Sequence, residues 1–217
     1  DNGQASWSPG SHLDVAVTID GRAEHRSYSL VGEPDGSVYR IAVKCDPQGR
    51  GGSRAMHRLE PGALISLSTP KNNFEIEFDR PDYLLVAGGI GITPMLGMAS
   101  VLKKRGARFR FLYCARSREE LAMLPELSAI CGKALSLFVS DEGQRLDFAR
   151  EIAALAPDGQ LYLCGPMRML DAARREWDSA GRKPQGLRYE TFGSSGRYAT
   201  QAFTVRTWPE GVEVPVP

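Results

Sequence analysis

The chain has 217 residues, with 27 Lys and Arg against 26 Asp and Glu, for a formal charge of +1. That balance leaves no basic footprint for nucleic acid, and no apolar run approaches the roughly 20 residues of a membrane helix. The length suits two modest domains with cores of their own. Cys45, Cys114, Cys131 and Cys164 are too scattered for a disulfide framework or a metal cluster, and no signal peptide opens the chain. The expectation is a soluble cytoplasmic protein without a metal site, a nucleic-acid partner or a membrane partner. The sequence opens on "DNGQASWSPG" without an initiator Met, so residues are expected to be missing upstream, N-terminal strands of the first domain among them.

In the first half, Leu13, Val15, Val17 and Ile19 alternate with mostly polar residues, the period of a half-buried strand, and Asp20-Gly21 predicts a hairpin turn. Further strands are expected at "SVYRIAVKC", at "ALISLS" after Pro61-Gly62, and at "FEIEF", with a short helix from about Ser53 to Arg58. Short strands with frequent turns predict a small antiparallel barrel or sandwich. After Pro81 the rhythm changes. Strands at "YLLVA", "RFRFLYC", "ALSLFV", "QLYLC" and "LRYETF" alternate with helical segments "PMLGMASVLKKR", "REELAMLPELSAI", "DFAREIAALA" and "PMRMLDAARREWDSA". That alternation predicts a doubly wound α/β domain on a five-stranded parallel sheet, whose ligands sit beyond the carboxyl ends of the strands.

Three motifs carry chemistry. The first parallel strand runs into Gly88-Gly89-Ile90-Gly91, with Thr93 as a cap and Pro94 at a helix start. Such a turn is either tight strand-to-helix packing or a seat for a pyrophosphate. A second turn, Cys164-Gly165-Pro166, ends another strand, and its cysteine reads alone as a buried structural thiol. Together the two turns place adjacent strand ends around one crevice. The third motif lies in the first half. Arg26, Tyr28 and Ser29 offer a guanidinium for a phosphate, an aromatic face and a hydroxyl. Gly51 and Gly52, with Ser53 as a hydroxyl cap, form a further bend before a helix.

Together, Arg26-Ser27-Tyr28-Ser29, Gly88-Gly89-Ile90-Gly91-Ile92-Thr93-Pro94, Cys164-Gly165-Pro166 and Tyr189-Glu190-Thr191-Phe192-Gly193 resemble the ferredoxin reductase superfamily. The likeness is strongest to phthalate dioxygenase reductase-like and vanillate demethylase reductase-like oxidoreductases, and it covers nearly the whole chain. It implies a flavin-binding β-barrel over 1–80 and a NAD(P)-binding α/β domain of the ferredoxin-NADP reductase kind over 81–193. By that resemblance Arg26 and Gly51-Gly52-Ser53 hold the flavin phosphate, and Ser27, Tyr28, Ala42, Val43 and Lys44 border the flavin. Ser29 sits near flavin N5 and Cys164 beside the nicotinamide, the two positions expected to be catalytic. Gly88, Gly89, Gly91, Thr93, Pro94, Gly165, Pro166, Met167 and Phe192 surround the dinucleotide. "VKCDPQGRGGS" favours FMN, with FAD the alternative. The family pattern has Asp where this chain has Ser117, between Arg116 and Arg118; NADH is favoured, with NADPH the alternative.

Residues 194–217 read as a polar linker and a hairpin turning at Pro209-Glu210-Gly211. In the family this is how a [2Fe-2S] ferredoxin domain begins. The cluster needs a C-x₄-C-x₂-C…C set, absent from these 217 residues, so that domain is expected to be missing; the alternative is a tail that docks on the reductase as a finished end. The implied function is the reductase component of a Rieske-type aromatic oxygenase or demethylase system. Hydride passes from NADH to flavin, and single electrons pass through the ferredoxin domain to a terminal oxygenase component. A flavohaemoglobin or hydroxylase reductase module, or a non-catalytic NAD(P)-binding electron-transfer subunit, are the competing readings.

Overall fold

The computed structural model describes residues 5–36, 38–192, 203–206, 209 and 211–216. Strand β1 (Ser11–Ile19) buries Ser11, Leu13, Val15 and Val17 on one face, as the alternation requires. It turns at Asp20 (φ 49°) and Gly21 (φ 76°) into β2 (Arg22–Ser29), the doubly positive φ of a two-residue hairpin turn. A two-residue strand, β3 (Lys71–Asn72), pairs on the other edge of β1, so the sheet order is β2-β1-β3. The short helix α1 (Gly52–His57) forms where the sequence predicts it.

The segments "SVYRIAVKC", "ALISLS" and "FEIEF" form no ladder among the described residues. Ile41 and Leu67 each make one isolated bridge, to Leu30 and Val15. The alternation in "FEIEF" is nonetheless real, since Phe74 and Ile76 are buried and Glu75 and Glu77 exposed. That segment leaves the antiparallel sheet to pack on the second half: Phe74 lies 5.8 Å from the Tyr162 ring, and the Glu77 amide donates to Tyr162 Oη at 2.7 Å.

The second half is a five-stranded parallel sheet. Its strands are β4 (Tyr83–Gly88), β5 (Phe109–Ala115), β6 (Leu135–Val139), β7 (Gln160–Cys164) and β8 (Leu187–Glu190), in the order β6-β5-β4-β7-β8. Helices cover both faces. On one, α2 (Ile92–Lys104) and α3 (Leu124–Cys131) pack on Tyr83, Leu85, Phe111 and Tyr113. On the other, α4 (Phe148–Ala153) and α5 (Met167–Ser179) pack on Leu84, Val86, Leu161 and Leu163 around Trp177. The helix expected at "REELAMLPELSAI" begins only at Leu124. Pro125 can occupy a first turn but not a helix interior, and Met123 before it takes φ 57°.

The strands β9 (Phe203–Arg206) and β10 (Glu213–Val216) pair antiparallel, so the C-terminal hairpin forms. The expected linker at 194–200, with Gly193 and Glu210, lies outside the described residues.

The two halves share a core, because Val31, Phe74 and Ile76 belong to the same apolar cluster as α2 and α3. Polar contacts frame it. Arg40 makes a bidentate pair with Glu126 at 3.0 and 2.7 Å, and Glu33 accepts from Ser100 Oγ and, at 2.7 Å, from Lys104 Nζ. Gly97 on α2 touches the first half directly: a Cβ there would collide with the Gly32 carbonyl and come within 3.2 Å of Pro9. Gly97→Ala is expected to cost about 1–3 kcal/mol of overpacking and to lower Tm by about 2–12 °C in calorimetry. An unchanged Tm would show that the halves do not meet at this helix.

Candidate functional site

The parallel sheet reverses its strand order at β4, whose neighbours β5 and β7 lead to helices on opposite faces. A crevice opens at the carboxyl ends of these strands, where such a fold places its ligand. β4 ends at Gly88, and a tight turn, Gly89–Gly91, leads into α2. Gly89 takes φ 53°, and the buried Tyr113 hydroxyl braces it, 3.1 Å from both the Gly89 and Ala122 carbonyls. Burial raises the Tyr113 pKa, so the phenol stays a donor. Across the switch point, a Cβ on Gly91 would fall on the Cys164 carbonyl, and one on Gly88 would meet Pro166 Cδ at 2.8 Å. The two glycine turns therefore interlock through their backbones, as only residues without a side chain allow.

These turns border a cavity of about 760 Å³. Gly88, Gly89, Gly165 and Pro166 line it, together with Arg116 after β5, Ser140 after β6, and Phe192. Lys44 reaches it from the first half and pairs with Glu120 across the mouth at 3.3 Å. The volume and the backbone turns fit a dinucleotide. Arg145 and Arg168 add positive charge to the lining, which suits its phosphates. Thr93 and Pro94 lie within α2, both buried and neither on the cavity. Thr93 is no cap, because the turn before it continues into α2 and its hydroxyl donates back to the Ile90 carbonyl at 3.0 Å. Met167 packs against the core around Trp177 instead of the crevice. Ser117 also lies off the lining, with a hydroxyl that favours ionised Glu119. On either side of it, Arg116 lies 3.7 Å from Asp141 and Arg118 donates to Glu142 from Nε and Nη2, at 2.5 and 2.8 Å.

In the first half, Arg26 lies directly over the glycine bend, and a Cβ on Gly52 would sit 2.6 Å from its Nε. Gly51 takes φ 90° to make that bend. The arrangement puts a guanidinium beside a glycine bend with backbone in the left-handed region, the kind of pairing that can bind a phosphate. Arg26 is held there by Glu24 at 2.6 Å and the His25 carbonyl at 2.9 Å. Tyr28, on the same strand face, is half-buried, and burial raises its pKa. Ser27 turns the other way and donates to Asp14 Oδ1 at 2.6 Å. Ser53 does not cap α1; its hydroxyl accepts from the Asp46 amide at 3.0 Å. Ala42 packs against the shared core, and the Val43 carbonyl lies 2.8 Å from His57 Nε2.

The two halves meet chemically at Ser29, Cys164 and Glu190, from β2, β7 and β8. Ser29 and Cys164 are buried, and neither Ser29 Oγ nor Glu190 Oε2 makes a hydrogen bond of good geometry. Burial lifts the Glu190 carboxyl to about 7, against the opposing effect of the nearby Ser29 hydroxyl. Cys164 is held as a thiol, its pKa raised well above the usual value by burial and then by Glu190. The sequence reading named Glu190 within its motif but gave it no role. The strand "LRYE" carries no signal that singles out this carboxylate, because Arg188 in the same strand makes the segment read as partly exposed. Arg145 and Arg168 were missed too, although Arg168 follows Cys164-Gly165-Pro166 directly.

The model of the oxidoreductase FAD-binding domain matches residues 3–76, and that of the oxidoreductase NAD-binding domain matches residues 85–175. The chain is 36% identical to phenoxybenzoate dioxygenase subunit beta of Ectopseudomonas oleovorans, over 99% of this chain and 67% of that protein. It is 33% identical to the carnitine monooxygenase reductase subunit of Escherichia coli, over 98% and 67%. The chain thus spans about two thirds of the length of these relatives. Among solved structures it superposes on phthalate dioxygenase reductase with a TM-score of 0.79 and 31% identity, covering 99% of this chain and 68% of that one. That protein is described as a modular structure for electron transfer from pyridine nucleotides to [2Fe-2S]. Fold, interlocked turns and relatives agree: this chain belongs to the family of flavin- and NAD-binding oxidoreductases that contains phthalate dioxygenase reductase.

Proposed function

We propose that this chain is the reductase part of a Rieske-type aromatic oxygenase or demethylase system, taking hydride from NADH and passing single electrons to an iron-sulfur centre. The observation that supports this reading most is the meeting of Ser29 from the first half with Cys164 and Glu190 from the second. A flavin held in the first half would supply the redox chemistry, a two-electron acceptor able to give its electrons up singly. FMN is the flavin that one phosphate cradle at Arg26, Gly51 and Gly52 favours. The residues here bind, orient and keep water out. Cys164, uncharged and fully buried, sets contact distance, and Glu190 can hold a proton beside Ser29 at neutral pH.

NADH is favoured over NADPH because both arginines flanking Ser117 face carboxylates, Asp141 and Glu142, which oppose a 2′-phosphate. The C-terminal hairpin supports a ferredoxin domain continuing beyond residue 217, through which electrons reach the oxygenase component. A reading frame that continues without a C-x₄-C-x₂-C…C set would remove that step. The four cysteines are unpaired, in keeping with a reducing cytoplasm, and no helix among the described residues is long and apolar enough to cross a membrane.

Purified protein is expected to be yellow and to yield FMN by chromatography of its extracted flavin. Arg26→Ala should weaken flavin binding by roughly 10- to 100-fold with the circular dichroism spectrum retained. Unaltered flavin content would refute the phosphate assignment. Cys164→Ala should keep its flavin yet slow reduction by NADH roughly tenfold, and a wild-type rate would make the thiol purely structural.

Glu190 gives a prediction in pH. Its folded pKa, about 7, lies above the ordinary 4.5, so the folded state binds its proton more tightly than the unfolded chain does. The stability this brings is present below the unfolded pKa and is lost as pH rises through the folded one. Glu190→Gln should therefore raise Tm by several degrees at about pH 8 and leave it nearly unchanged at about pH 4. An equal shift at both would deny the buried carboxyl its raised pKa.

A further inference from the structure

His12 Nδ1, like Ser29 Oγ and Glu190 Oε2, is buried without a hydrogen bond among the described residues. His12 stands directly opposite Ser29 in the ladder between β1 and β2. One step along, the Leu30 amide donates to the Ser11 carbonyl at 2.8 Å, which makes His12 and Ser29 a non-hydrogen-bonded pair, the kind whose side chains stand closest. The next such pair on the same face shows the reach, since Ser27 Oγ donates to Asp14 Oδ1 at 2.6 Å. Asp14 Oδ2 is taken by Lys71 Nζ at 2.7 Å. That carboxylate is therefore engaged at both oxygens, and Ser29 Oγ is left as the open oxygen opposite His12 among the described residues.

A hydroxyl has one hydrogen and two lone pairs. The Ser29 hydrogen is drawn toward the second half, where the hydroxyl favours the ionised Glu190 carboxyl, so its lone pairs are left for the first half to fill. A buried imidazole nitrogen opposite them closes the arrangement only when it carries the hydrogen. We infer that His12 is a positioning residue of the reaction pocket: its Nδ1–H donates to Ser29 Oγ and turns the hydroxyl hydrogen toward the joint between the halves. The inference rests on the reading of that joint as the place where flavin and nicotinamide meet. Held from behind in this way, Ser29 presents a donor of fixed direction to the group bound in front of it. Without His12 the hydroxyl would rotate among several acceptors, and the joint would lose one of its oriented contacts.

Nitrogen NMR of the imidazoles reads the tautomer directly, in a chain with three histidines and with His12→Asn identifying the His12 signals. At about pH 8.5, where an ordinary imidazole carries a single hydrogen, the flavin-loaded protein should show that hydrogen on His12 Nδ1. Hydrogen on Nε2 alone would overturn the inference and leave the flavin reading standing. Two variants give a second readout. His12→Leu should keep its flavin and be reduced by NADH about tenfold more slowly, at an unchanged half-saturating NADH concentration. His12→Asn, whose amide can donate in place of Nδ1–H, should restore most of the rate. Equal rates in the two variants would also overturn the inference. A protein that takes up no flavin would sink the underlying reading, and the role of His12 with it.

Discussion

The site depends on one close approach. Gly91 lies against the Cys164 carbonyl and Gly88 against Pro166, so the turns that end β4 and β7 occupy space that a side chain would fill. This contact sits where the sheet reverses its strand order, and it brings both rims of the crevice together. Tyr113, buried behind the first rim, locks the turn by reaching two carbonyls. The rim is consequently braced from behind, and Arg145 and Arg168 add positive charge to the lining of the same crevice.

The second constraint is the joint between the halves. A shared apolar core built from Val31, Phe74 and Ile76 against α2 and α3 holds the antiparallel sheet on the parallel one. That docking brings Ser29 to Cys164 and Glu190. The groups that meet there are uncharged or proton-holding, with Glu190 raised to about 7 and Cys164 raised well above the usual thiol value by burial. Arg26 packed on the Gly52 bend belongs to the first half, and the crevice bordered by Gly88 and Gly165 lies mostly in the second.

Much of this was legible in the sequence, for physical reasons that differ by segment. The parallel strands are continuous apolar runs punctuated by glycine, so β4, β5 and β7 could be read within a residue or two. Gly91 and Gly52 announced close approaches, although not what they approach. The polar roles were harder. Ser53 and Thr93 look like caps in one dimension, but their hydroxyls go to Asp46 and Ile90 because the backbone before each helix is already turned. Glu190 could not be distinguished from a surface carboxylate, since its burial depends on β2 and β7, distant in sequence. The strands at 38–45 and 63–68 have the right alternation but lack partners on their outer sides among the described residues. Pairing is a property of the sheet and cannot be read from a strand alone.

The central claim is that the two seats face one another closely enough for hydride to cross. The most direct test is anaerobic stopped-flow mixing of the flavin-loaded protein with NADH, and separately with NADPH, following the visible flavin band. The account predicts rapid bleaching with NADH and slower bleaching with NADPH at equal concentration. A flavin band that stays oxidised with both nucleotides would contradict it, because cradle and crevice would then hold their ligands without bringing them into contact.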